Sequence, residues 1–179
     1  MPIPRLHLFE LEDLRWFPTV VRDLATDYLH FMEHRFQLHR PVVPLLKHLL
    51  VEAQCRDVID LCSGGAGPVP ALHEALAAEG ISTRFTLTDL YPNVEAFERA
   101  AFRSGGAISF VRESVDARNV SRSLIGARTL FNSFHHFRPS AARTIIRDAV
   151  HAKQPLAIFE ISERSLPITL LLLITPLIV

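Results

Sequence analysis

Residues 57–68 read DVIDLCSGGAGP, and this stretch decides the fold of the chain. It opens with β-branched and apolar residues, which predict a short buried strand. Gly64, Gly65 and Gly67 follow, and a helical pattern covers residues 71–79. A strand, a glycine turn and a helix in this order bring backbone N–H groups close to a ligand. Because a side chain would block that approach or forbid the required φ, the glycines predict a nucleotide-type binding loop.

Three interpretations compete for this loop. A dinucleotide fingerprint, G-x-G-x-x-G, would begin at Gly65, but Pro70 stands where its third glycine should be. The carboxylate of Asp60, inside the strand, would repel a pyrophosphate and would favour a cationic ligand. The third interpretation is a tight strand-to-helix turn that binds no ligand.

Composition limits the classes of protein to which the chain can belong. Its 179 residues are 49% hydrophobic, which excludes global disorder, and 19 basic residues balance 19 acidic ones. With a formal net charge of +0, we expect no nucleic-acid partner. The two cysteines, Cys55 and Cys62, form no disulfide framework, and Glu10, Glu12 and Asp13 interrupt any secretory signal. These features predict a cytoplasmic protein.

Helical and strand patterns alternate along the rest of the chain. Helices are predicted at 19–36, 44–53, 71–79, 94–103 and 139–152, and strands at 58–61, 84–88, 107–111, 128–131 and 155–160. Two N-terminal helices followed by repeated strand–helix units predict an α/β fold, with a parallel sheet covered on both faces.

Polar residues follow three of these strands. Asp89 ends the second strand, where a carboxylate can accept hydrogen bonds from both hydroxyls of a ribose. It could also cap the helix after Pro92, and both roles could hold. Asp116 lies in a polar turn after the third strand. The segment 132–137, NSFHHF, follows the fourth strand, at the edge where open α/β sheets place their chemistry.

The pattern D-L-C-S-G-G-A-G resembles the first motif of class I S-adenosylmethionine-dependent methyltransferases, and the resemblance spans about residues 57–163. That family usually has glycine at the positions of Cys62 and Ala66, and the last glycine here comes one residue late. The resemblance implies a Rossmann-like three-layer sandwich with a mostly parallel sheet. It divides the chain into an N-terminal helical lid (1–54), a cofactor-binding core (55–165) and an apolar tail (166–179).

The resemblance also implies S-adenosylmethionine as cofactor and assigns roles to individual residues. Asp60 and the glycine loop would hold the amino-acid end, Asp89 the ribose, and Asp116 the adenine amino group. The full set of expected cofactor-binding residues is Asp60, Ser63, Gly64, Gly65, Gly67, Asp89, Leu90, Asp116, Ala117 and Asn132.

A histidine suits the task of removing a proton from a methyl acceptor. We therefore predict His135 and His136 as catalytic residues, with one facing the cleft and the other supporting it; the alternative is that both are structural. No metal site is expected, because His30 and His34 lack the glutamate of the zincin pattern.

The predicted function is methyl transfer to a small-molecule or lipid-like acceptor. The alternatives are a non-catalytic member of the same fold that binds cofactor or a partner, and an NAD-dependent oxidoreductase, which Pro70 and Asp60 disfavour. The sequence does not name the acceptor or the oligomeric state.

The segment Leu166–Val179 carries no charge, and its 14 residues fall short of the ~20 that a membrane-spanning helix needs. The helix and two strands that follow the fifth strand in the resembling family are absent, so we expect either a fragment whose C-terminal strands are missing or a tail built for a membrane or a partner. We predict that the tail associates with a membrane or with later residues; burial as a core helix is the alternative.

Overall fold

A computed structural model describes Trp16, Pro18 and residues 35–160. The predicted first helix, up to residue 34, and the apolar tail lie outside the described residues. The elements, in order, are α1 (Val42–Glu52), β1 (Asp57–Leu61), α2 (Val69–Ala78), β2 (Arg84–Leu87), α3 (Val94–Arg103), β3 (Ile108–Phe110), β4 (Ala127–Phe131), a 3-10 turn (Phe134–His136), α4 (Pro139–Ala152) and β5 (Leu156–Phe159).

The five strands of the described residues form one sheet in the order β3-β2-β1-β4-β5, and each pair is parallel. The chain runs outward from β1 to β3 and then returns to place β4 on the other side of β1. This reversal makes the carboxyl ends of β1 and β4 the switch point, where open α/β sheets bind ligands. The predicted parallel sheet is therefore confirmed.

Side chains alternate between the two faces of β1 and build a core on each. Val58 joins the cluster formed with Leu46 of α1, Leu72 of α2 and Phe97 of α3. Ile59 and Leu61 join the cluster that contains Ile145 of α4, together with Ala117 and Val120 of the β3–β4 loop. Three layers result, with helices on both faces of the sheet.

The helix ends explain why the predicted boundaries are close to the observed ones. Gly80, at φ +76, follows α2 and donates its N–H to Ala77, while Ile81 donates to Leu76, which completes a Schellman motif. The cap of α3 is Asn93, whose side chain accepts from the Ala96 N–H at 3.1 Å. The alternative in which Asp89 caps this helix is therefore wrong.

None of the helices in the described range 35–160 has both the length and the apolar character to cross a membrane. The membrane prediction for residues 166–179 falls outside that range and stays a prediction.

Candidate functional site

The carboxyl edge of the sheet gathers the polar residues that follow successive strands. The glycine loop follows β1, Asp89 follows β2, Asp116 follows β3, the segment 132–136 follows β4, and Glu160 follows β5. Because all five strands are parallel, these segments meet at one edge, around the switch point between β1 and β4. The predicted site residues are therefore gathered at this edge, although their contacts with a cofactor stay predictions.

Asp60 lies beneath the glycine loop with both carboxylate oxygens occupied. Its side chain is buried, and Oδ2 accepts from the Ser63 hydroxyl and Oδ1 from the Thr129 hydroxyl, each at 2.7 Å. Thr129 reaches it because β4 pairs with β1 so that these two residues are direct neighbours. Burial outweighs the two hydrogen bonds and, with the charge of Asp89 nearby, raises the pKa of Asp60 to about 7.

The raised pKa makes Asp60 a source of pH-dependent stability. In the unfolded chain this carboxyl ionises near pH 3.8, so between about pH 4 and 7 only the unfolded state loses the proton. The free energy of unfolding, relative to that of an Asp60→Asn variant, should therefore fall by up to about 4 kcal/mol as pH rises through this window. Above the window it should level off. Urea unfolding of both proteins at pH 4, 5.5, 7 and 8 measures the difference. A difference that is constant with pH would contradict it.

The glycine loop follows a glycine-like path even where its residues are not glycine. Cys62 has φ +59 and Ala66 has φ +81, alongside Gly64 at +52 and Gly67 at +44. L-residues rarely adopt this left-handed conformation. The departures from the family pattern at Cys62 and Ala66 therefore change side chains and leave the left-handed backbone in place.

Asp89 ties the glycine loop to the end of β2. Its Oδ2 accepts from the Gly64 N–H at 2.9 Å, and its Oδ1 accepts from the Tyr91 N–H at 2.8 Å. A half-buried carboxylate with spare lone pairs at this position can still accept from a ribose diol. Asp89 also fixes where the loop presents its N–H groups.

We expect Asp89→Ala to weaken binding of S-adenosylhomocysteine by about 2–3 kcal/mol, the scale of hydrogen bonds to a charged group. Isothermal titration calorimetry on the folded variant measures this. Asp57→Ala is the matched control, because Asp57 is also a carboxylate at a strand end, but pairs with Arg84 at the opposite edge of the sheet. An unchanged affinity in Asp89→Ala would remove the ribose assignment.

Asp116 sits in a tight turn of its own loop. Its Oδ1 accepts from the Arg118 N–H at 2.8 Å, and the Arg118 guanidinium donates to both of its oxygens. The hydrogen bonds from the Arg118 side chain are the main cause that lowers the pKa of Asp116. Neighbouring Ala117 turns its methyl group into the core, so a ligand could meet its backbone but not its side chain.

Three of the predicted acids act electrostatically on one group, the thiol of Cys62. Burial, together with the charges of Asp89, Asp60 and Asp116, raises the pKa of Cys62 to about 12. The thiol therefore stays neutral, and the surrounding field favours a cationic ligand over an anionic one. Sequence order alone indicated one acid inside the first strand and one after each of the next two strands; the fold brings their charges together.

The segment after β4 forms the second half of the site. Asn132, at φ +48, donates its N–H to the Phe159 carbonyl at 2.9 Å, and its side chain lies at the surface. The 3-10 turn then presents His135, whose Nδ1 lies 2.5 Å from Oε2 of Glu160. The other oxygen of Glu160 accepts from the Phe134 N–H at 2.8 Å.

Two features of this turn were not predicted. The rings of His135 and His136 stack with their centroids 4.3 Å apart, whereas we expected adjacent side chains to point in different directions. Glu160 bonds to the His135 ring, and the His136 ring stacks on that of His135. Glu160 itself was overlooked, although an acid directly after the fifth strand was a visible signal. Burial opposes ionisation of Glu160, but its bonds with His135 and the backbone prevail and lower its pKa.

The remaining predicted residues differ in what they can offer to a ligand. The Ser63 hydroxyl is committed to Asp60, whereas Leu90 is 39% exposed and Gly65 is half-buried.

Within residues 35–160 no group of three or more His, Cys, Asp or Glu side chains is arranged to hold a metal ion. His30 and His34 lie outside that range.

No protein-family model and no curated protein matches the chain. Among solved structures, it is similar to an O-methyltransferase, NcsB1 from neocarzinostatin biosynthesis, in complex with S-adenosylmethionine and 2-hydroxy-5-methyl naphthoic acid (22% identity, TM-score 0.51). It is also similar to the apo form of SibL, an S-adenosylmethionine-dependent methyltransferase (16% identity, TM-score 0.53).

These similarities cover 72% and 83% of this chain but 38% and 40% of the respective neighbours. The chain thus spans less than half the length of either protein. At such identities the likeness concerns architecture, and it agrees with the parallel sheet order described above. The described residues therefore have a Rossmann-like α/β fold, with an architecture similar to that of these two methyltransferases.

Proposed function

We propose that the chain is the cofactor-binding core of an S-adenosylmethionine-dependent methyltransferase that methylates a hydroxyl group of a small-molecule acceptor. One observation carries this proposal: the carboxyl groups of Asp60 and Asp89 bond to the glycine loop, at the same sheet edge as the His135–Glu160 pair. A sulfonium cofactor is a cation, so the carboxylates favour it over a dinucleotide. This argues against the NAD-dependent alternative.

Each end of the cofactor has residues of fitting chemistry. The glycine loop and Asp60 would hold the amino-acid end, Asp89 the ribose hydroxyls, and Asp116 the adenine amino group. A Cβ at Gly64 would meet no protein atom within 4 Å, so the loop is open on the side where a ligand would approach. When bound, S-adenosylmethionine supplies a methyl group activated by the positive sulfur.

The protein supplies a base for the acceptor. With its Nδ1–H donated to Glu160, His135 keeps a lone pair on Nε2. Nε2 of His135 would take the proton of the acceptor hydroxyl, while the bound cofactor would supply the methyl group to the acceptor oxygen and leave as a neutral thioether. The ionised Glu160 then stabilises the imidazolium, as a carboxylate does in other histidine-base sites.

A small hydroxylated aromatic molecule is the acceptor class with the most support. NcsB1 was solved with a hydroxylated naphthoic acid, although its similarity to this chain concerns the fold alone. A neutral histidine base suits a phenol better than an aliphatic alcohol, since the phenol loses its proton near pH 10 and so lies closer to imidazole. A lipid-like hydroxyl acceptor is the alternative.

Two measurements test the proposal. Calorimetry of the 1–179 chain with S-adenosylhomocysteine and with NAD should show binding of the first and none of the second; the reverse would establish the oxidoreductase alternative. Transfer of a labelled methyl group from S-adenosylmethionine is then measured with panels of phenols and of long-chain alcohols, and with a cell extract. Binding without transfer to any of them would favour the non-catalytic alternative.

A further inference from the structure

Backbone hydrogen bonds attach the β3–β4 loop to the rest of the domain on both sides of Asp116. At its start, the Val115 N–H donates to the Asp89 carbonyl at 2.8 Å. After a turn closed by the Asn119 N–H and the Asp116 carbonyl (2.9 Å), the Val120 N–H donates to Oδ2 of Asp148 at 3.3 Å. Asp148 belongs to α4.

Asp148 collects donors from three places in the chain. Besides Val120, it accepts from Arg122 of the same loop at 3.3 Å and from Nη1 of Arg128, on β4, at 2.7 Å. Arg128 is 1% exposed and Asp148 8%. Among the described residues, Nε and Nη2 of Arg128 have no hydrogen-bond partner. The buried guanidinium therefore depends on Asp148 for its charge compensation.

A buried ion pair is a costly way to stabilise a core, since well-packed apolar side chains of similar volume often do as well or better. Apolar side chains, however, cannot accept a hydrogen bond from the Val120 N–H. That bond anchors the turn of residues 116–119. We propose that Asp148, held in place by Arg128, is a positioning residue that fixes Asp116 for recognition of the adenine amino group. This inference rests on the proposed function.

The experiment uses two ligands that differ at the adenine amino group. S-adenosylhomocysteine carries it, and S-inosylhomocysteine has an oxygen in its place. The wild-type chain should prefer the first by about tenfold, the effect of one well-placed hydrogen bond. The Arg128→Met/Asp148→Leu double variant removes the ion pair without leaving a buried charge, so it should fold. For this variant, the affinities for the two ligands should differ by no more than about twofold.

Two further variants separate positioning from general damage. Leu50→Ala removes an equally buried side chain from the other core cluster and should leave the ligand preference unchanged even where it lowers stability. Arg128→Met/Asp148→Asn keeps an acceptor for the Val120 N–H without leaving a buried charge, and it should retain more of the preference than Arg128→Met/Asp148→Leu. A folded double variant with the wild-type preference would overturn the inference.

The same titrations separate the two levels of proposal. If the wild-type chain binds neither ligand, the proposed function fails and the inference fails with it. If the wild-type chain binds both equally, cofactor binding stands, but the Asp116 assignment and the role of Asp148 are overturned.

Discussion

Gly64→Val is expected to abolish binding of S-adenosylhomocysteine, with a loss of affinity of at least about 100-fold, because a branched side chain excludes a ligand that meets the backbone. The protein itself leaves room for the side chain, since an added Cβ meets no atom within 4 Å. The Gly64 N–H also donates to Asp89, so the loss would include a displaced ribose acceptor. Calorimetry on the folded variant measures the effect.

Gly105→Val is the matched control. Gly105 has a similar left-handed backbone, φ +62 against +52 at Gly64, and its added Cβ also meets no atom within 4 Å. It lies between α3 and β3, at the amino edge of the sheet and away from the proposed site. Both variants carry comparable backbone strain, so Gly105→Val controls for strain, and Gly64→Val differs from it in its contacts with the ligand and with Asp89. Equal loss in both would attribute the effect to strain, and normal binding in Gly64→Val would reduce the loop to a structural turn.

His135→Gln should lower the rate of methyl transfer by about 10²–10⁴-fold, the usual contribution of a positioned general base. The affinity for S-adenosylhomocysteine should stay within about twofold, since the base acts on the acceptor and not on the cofactor. The measurement is single-turnover transfer to the best acceptor found in the panels, with binding determined separately. Glu160→Gln should lower the rate less, because the histidine remains but loses its charged partner.

His151→Gln provides the control for this prediction. His151 lies near the end of α4, close to the amino edge of the sheet, and is exposed. Its replacement should change neither rate nor affinity. If His135→Gln retains the wild-type rate, the histidine pair is structural, and the proton leaves the acceptor to solvent or to another group.

Much of the fold could be predicted because its signals are local. The largely apolar run 58–61 needs burial on both faces of a sheet. Gly80 supplies the left-handed residue that ends α2, and β-branched stretches alternate with helical ones along the chain. Alternation of this kind leaves a parallel sheet as the simplest architecture. The identity of the acids within or after these strands is likewise local, which is why Asp60, Asp89 and Asp116 could be named in advance.

Tertiary structure decided how those residues interact. Thr129 bonds to Asp60 because of the register between β1 and β4, strands far apart in sequence, and burial in the completed core raises the carboxyl pKa. Glu160 meets His135 because β5 lies beside β4. By itself the sequence determined the elements and the kinds of side chain at their ends, since these depend on neighbours along the chain. Strand order, register and burial decided the partners and charges, since these depend on residues that only folding brings together.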